Sequence, residues 1–203
     1  MKKLFIGMLI FISFLMIAGC SEKKTASPDE VAAGYLNGVV EQDFDIMDRY
    51  SVVKYEKIQK PVIEEAMRKN SMTEAEVYES ILKYDNVEKM PETYDEYKKT
   101  YTEVFRKKLE EEYGKNYSVK STIVSSEDIN EEDKGKLLKE ASDYYDRYNV
   151  VISDIVDFSK ITEIKKMQCK AYISGTKETT EDFSIYVVKV GGEWKVLNLG
   201  AGA

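Results

Sequence analysis

The chain has 203 residues, 43% hydrophobic and 33% charged, and its 30 basic against 37 acidic side chains leave a formal charge of −7, too acidic to favour phosphate backbones, so no nucleic acid is expected as a partner. The 15 Tyr, 7 Phe and single Trp argue against a disordered chain and for a folded body. The complete absence of histidine excludes Ser-His and Cys-His nucleophile systems and the usual zinc sites.

The first element is apolar. After Lys2 and Lys3, a run of 14 residues from Leu4 to Ile17 is interrupted only weakly, by Gly7 and Ser13. A helix of that length spans about 21 Å at ~1.5 Å per residue, short of the roughly 30 Å hydrocarbon core, so it suits a signal-peptide h-region better than a permanent span. Ile17-Ala18-Gly19-Cys20 then resembles the lipobox of bacterial lipoproteins. That resemblance implies removal of residues 1–19, a diacylglycerol joined to Cys20 through a thioether, and a body held at the cell membrane on its extracytoplasmic face. Loss of Lys2 and Lys3 takes the charge from −7 to −9. Attachment therefore rests on the lipid rather than on surface charge, and two acyl chains suffice for it. Residues 20–27, polar and small beyond the cysteine, read as a flexible tether.

The folded body is expected over 28–203. Ser27, Pro28 and Glu30 form a capping box with proline at the first helical position, and Val31, Tyr35, Leu36 and Val39 follow at helical spacing up to Glu41. Asp43 or Asp45 caps a second helix. Pro61 is expected to start a third, and Thr73 with Glu76 boxes a fourth. Pro91-Glu92 opens the longest, which stops at Gly114. The period changes at Tyr117–Ile123, which reads as a strand. Asn130 with Asp133 caps a further helix carrying Leu137, Ala141, Tyr144, Tyr145 and Tyr148. Val150–Phe158 then reads as a strand, followed by Met167, Cys169, Ala171 and Ile173 in period-two alternation. Phe183–Val190 and Glu193–Leu199 flank Gly191-Gly192, a strong hairpin signal, so the chain is expected to end in an antiparallel meander of four strands.

Two stretches, Ser27–Asp45 with its Glu41-Gln42-Asp43-Phe44-Asp45 run and Tyr186–Val196 with Gly191-Gly192-Glu193-Trp194, resemble the opening helix and closing hairpin of NTF2-like domains, especially those in small Firmicutes lipoproteins of unknown function. The resemblance implies an α+β fold in which N-terminal helices pack on a curved antiparallel sheet to form a cone. Residues 55–114 hold more helix than that fold needs and read as an insertion or an enlarged helical layer.

Candidate site residues follow from the faces. Tyr35, Tyr97, Tyr101, Tyr144 and Tyr145 lie on inward helical faces, and Trp194 stands where the resembled family carries a tryptophan. They read as core packing first and as the wall of a ligand pocket second. Strand alternation sets Asp154 on the face of Val150, Ile152, Val156 and Phe158. An aspartate there, with a tyrosine, would serve an isomerase- or hydratase-like enzyme of the kind the NTF2-like superfamily includes. The acidic run Glu127–Asp133 fails the calcium-loop pattern, having Asp133 where Gly is needed and Lys139 where Glu is needed, so no metal and no cofactor is expected. Cys169 is expected to be a buried inert thiol. Taken together, these features point to a lipid-anchored binding or interaction module, non-enzymatic by preference, for an unidentified small ligand or protein partner.

Overall fold

The computed structural model describes residues 25–83, 85 and 87–199. Cys20 and the leader lie outside the described residues. The chain is α+β: α1 (Pro28–Glu41), α2 (Phe44–Tyr50), α3 (Tyr55–Asn70), α4 (Glu74–Leu82), α5 (Tyr94–Tyr113), β1 (Ser118–Asp128), α6 (Glu131–Asp146), β2 (Ile161–Ser174), β3 (Glu178–Val190) and β4 (Glu193–Leu197). The four strands form one antiparallel sheet in chain order.

Local chemistry sets the helix starts. Ser27 accepts from the Glu30 N–H while the Glu30 carboxylate accepts from the Ser27 N–H, and Thr73 and Glu76 make the same reciprocal pair ahead of α4. Asp43 accepts from Ile46 N–H and Asn130 from Asp133 N–H, so α2 and α6 begin where their short polar side chains satisfy an otherwise unpaired donor. Gly34 and Gly38 stand one turn apart on α1 and let α2 close on it. A Cβ at Gly34 would lie 2.5 Å from the Tyr50 ring, and one at Gly38 would lie 2.8 Å from Ile46.

Both faces of the sheet are covered, by different helices. Met167, Cys169, Val187 and Val196 pack against Val31, Leu36, Phe44 and Met47 of α1 and α2. On the opposite face Ile164, Val188 and Leu197 pack against Leu137, Ala141 and Tyr145 of α6. Helices α3–α5 gather a smaller core of their own around Ile63, Val77, Tyr78, Leu82 and Tyr97, and Tyr101 joins it to the α1–α2 side.

Three expectations need correction. Pro61 does not start a helix but sits inside α3, which begins at Tyr55. The missing proline donor frees only the carbonyl of Lys57, on an exposed residue that water can reach. The longest helix starts at Tyr94, capped by Thr93, rather than at Pro91. Val150–Phe158 is not a strand. It folds into short 3-10 turns at Ile152–Asp154 and Phe158–Lys160, and its donors close locally, with Val156 N–H bonded to the Ile152 carbonyl at 2.9 Å. The terminal meander therefore has three strands, and β1, on the far side of α6 in sequence, completes the sheet by pairing with β2.

Candidate functional site

The site grows from the place where β4 stops. Asn198, just past β4, is buried, and its carbonyl accepts from the Tyr145 hydroxyl at 2.5 Å. From the other side of the sheet, the Tyr35 hydroxyl of α1 meets the Tyr55 hydroxyl of α3 at 3.0 Å, and Tyr55 N–H donates to Asp48 at 2.6 Å. Burial holds the phenols of Tyr35, Tyr55 and Tyr145 above the ordinary tyrosine value, so they stay neutral hydrogen-bonding groups. Burial likewise raises the Asp48 carboxyl, against the lowering effect of the Tyr55 N–H.

Beyond that point, α1, α6 and β3 diverge and leave a cleft of about 600 Å³. Tyr35, Leu36 and Val39 form the α1 wall, and Glu140, Tyr144 and Arg147 form the α6 wall. The floor is the β3 segment from Asp182 to Tyr186, with Val196 to Leu199 at one end. The walls pack on neighbouring rings. The Tyr144 ring meets Tyr145 edge-on at 5.2 Å and Tyr148 at 5.3 Å, and the Lys166 ammonium stands 5.9 Å from the Tyr186 ring centroid. Apolar and aromatic walls with a few charged groups at the rim are the usual make-up of a binding cleft. A cavity of similar size, about 610 Å³, lies between residues 87–91 and α5, but its walls are mostly charged side chains such as Glu103, Lys107 and Lys108.

The residues read from sequence fall in different places. Tyr35 and Tyr144 line the cleft, and Tyr145 stands directly behind it, with no exposed surface. Tyr97 and Tyr101 do not line it. Tyr97 stacks on Tyr78 at 4.7 Å in the α3–α5 core, and Tyr101 lies 5.6 Å from Phe44. Burial pushes the Tyr97 phenol up to about 12. Trp194 is also elsewhere. Its ring has Lys165 and Lys189 at 6.0 and 5.5 Å, and it borders a separate hollow of about 240 Å³ with Thr25, Ala26 and Arg49. Asp154 is corrected outright. It is exposed on a 3-10 turn, apart from the cleft, while its neighbours Ile152 and Val156 turn inward. Cys169 is 1% exposed and its thiol is pushed up to about 11 by burial, which leaves it protonated and unreactive near neutrality.

Sequence reasoning missed Tyr55, Asn198 and Phe183 as parts of this region. The Phe183–Ile185 alternation did carry a signal, since it sets both side chains on the α1 face of β3. Tyr55 carried none, because Lys54, the residue before its helix, makes no side-chain cap bond. Among the described residues no group of three or more acidic or cysteine side chains is placed to hold a metal ion, and no helix is long and apolar enough to cross a membrane. Comparison with models of known families, with curated proteins and with solved structures finds no match.

Proposed function

We propose that this protein is a lipid-anchored binding module on the extracytoplasmic face of the cell membrane, and that the cleft between α1, α6 and β3 holds its ligand. One observation carries the binding half of this reading: an open cleft of about 600 Å³ with Tyr35, Tyr144 and Arg147 in its walls, Phe183 in its floor and Lys166 also lining it. The anchoring half is supported by the charged start, apolar run and Ile17–Cys20 box of the leader. The resemblance of Ser27–Asp45 and Tyr186–Val196 to NTF2-like domains agrees with helices set against an antiparallel sheet. Binding is preferred to turnover because the chain has no histidine to act as a base, its one cysteine in the body is buried, and Asp154 stands exposed away from the cleft.

The test is intact mass spectrometry of the chain expressed with its own leader and extracted from membranes under native conditions. Wild type should lack residues 1–19, carry the mass of a diacylglycerol, and retain a bound species that Val39→Glu, a charge set into the cleft wall, removes. Cys20→Ala should appear without lipid. A chain that keeps Met1 and carries no acyl group would refute the anchor, and one that carries no cleft-dependent species would refute the binding site.

A further inference from the structure

Strand β3 is longer than its neighbour. β4 pairs only with Tyr186–Val190, so among the described residues Glu178–Ile185 has β2 on one side and no strand on the other, where the cleft opens. Two bonds decide which backbone groups face that open side. Val52 N–H donates to the Val196 carbonyl at 2.9 Å from outside β4. Val196 therefore turns its backbone away from β3, and its partner Val187 bonds to β2. At the other end Gly175 N–H donates to the Lys177 carbonyl at 3.0 Å across the β2–β3 turn, which points Lys177 the same way. The register between these ends is unbroken. Odd-numbered residues of this stretch thus bond to β2, and Thr180, Asp182 and Ser184 turn their N–H and C=O groups to the open edge. Among the described residues nothing bonds to those groups, and Thr180 and Asp182 are exposed.

We propose, resting on the reading of the cleft as a binding site, that its ligand is an extended polypeptide segment, apolar at alternate positions, that adds as a fifth strand along Thr180–Ser184. Donors and acceptors that alternate at strand spacing are matched by another extended backbone and by little else. The two sides of the cleft set the side-chain pattern. Phe183 and Ile185 share an apolar face with Val39, whereas Ser184 and Tyr186 face the mixed surface of Tyr144 and Arg147. A strand laid there would bury every second side chain against the first group and turn the others to the second.

A second copy of this chain fits less well. Two-fold antiparallel pairing about Asp182 would set Asp182 against its own counterpart, with Glu181 close by on each strand, and like charges directly opposed across strands are destabilising. The outer edge of the sheet at β1 is a poorer template, since its register shifts between Ile123 and Ser125 and its last two residues are Glu127 and Asp128.

The experiment pans a random twelve-residue peptide library against the full lipidated chain in detergent micelles. Enriched peptides are then remade with N-methyl groups on every second amide, once in each parity. The enriched sequences should alternate apolar residues, one methylation parity should abolish binding while the other leaves it intact, and Ser184→Pro should weaken binding at least tenfold. Failure to enrich any peptide, equal tolerance of both parities, or a dimer that closes the β3 edge with a second copy would overturn the proposal. If Ser184→Pro does not fold, the methylation pair decides alone. A small molecule lost on Val39→Glu with no peptide bound would remove this inference and leave the binding cleft standing.

Discussion

The two halves of β3 have the same neighbour on one side and opposite situations on the other. From Tyr186 to Val190 the strand is paired on both edges, and Val187 and Val188 are fully buried, one on each face of the sheet. From Glu178 to Ile185 it is paired, among the described residues, on one edge only, and no residue is fully buried. The sequence of the first half, Tyr-Val-Val-Lys-Val, is β-branched and aromatic, which suits a strand packed on both sides. The second half is rich in Glu, Asp, Thr and Ser, which suits an edge left to water or to a partner. The same strand thus anchors the sheet at one end and offers a surface at the other.

The largest expected effect breaks this comparison by proline. Val188→Pro deletes a ladder bond to β4 and a side chain buried between β3 and α6, and should cost more than about 3 kcal/mol in denaturant unfolding. Alkali should act next, through the tyrosines that close the paired half. Tyr35, Tyr55 and Tyr145 are held above their ordinary value by burial, so each contributes stability that is full below about pH 10, where the unfolded chain ionises, and is lost as the pH rises further. Tyr97, pushed up to about 12, acts with the same sign in the α3–α5 core. Tyrosinate absorbance and far-ultraviolet circular dichroism should therefore change together above pH 10. Titration of all 15 tyrosines near pH 10 with the fold intact would contradict this.

Tyr145→Phe should cost roughly 1–1.5 kcal/mol, because it deletes the buried hydrogen bond from its hydroxyl to the Asn198 carbonyl at the point where β4 ends. Ser184→Pro should be the mildest, below about 1 kcal/mol in thermal unfolding, since proline on an edge facing water removes no ladder bond. If Val188→Pro and Ser184→Pro cost the same, the two halves are not different in the way described.

Much of the fold was legible because its signals are local. A capping box is written in four consecutive residues, and Ser27–Glu30 and Thr73–Glu76 both formed as read. Gly191 and Gly192 both take positive φ, at 59° and 88°, as a two-residue hairpin turn requires. The errors arose where burial and hydrogen bonding part company. Val150, Ile152 and Val156 are buried, as their apolar character suggests, but local turns rather than a sheet satisfy their backbone, and the strand period that would turn Asp154 inward does not exist there. The cleft was harder to read, since it depends on β4 ending before β3 does and on two helices from distant parts of the chain meeting around Asn198. Tyr35 and Tyr144 carried the correct inward direction, and nothing in their spacing told them apart from Tyr97 and Tyr101.

Amide hydrogen exchange of β3, read residue by residue by NMR, tests the open edge most directly. Protection should be continuous from Tyr186 to Val190 and should alternate below it, slow at Phe183 and Ile185 and fast at Thr180, Asp182 and Ser184. Uniformly slow exchange along the whole strand would mean that the edge is already closed, and the account of the cleft as a docking site for an extended chain would be wrong.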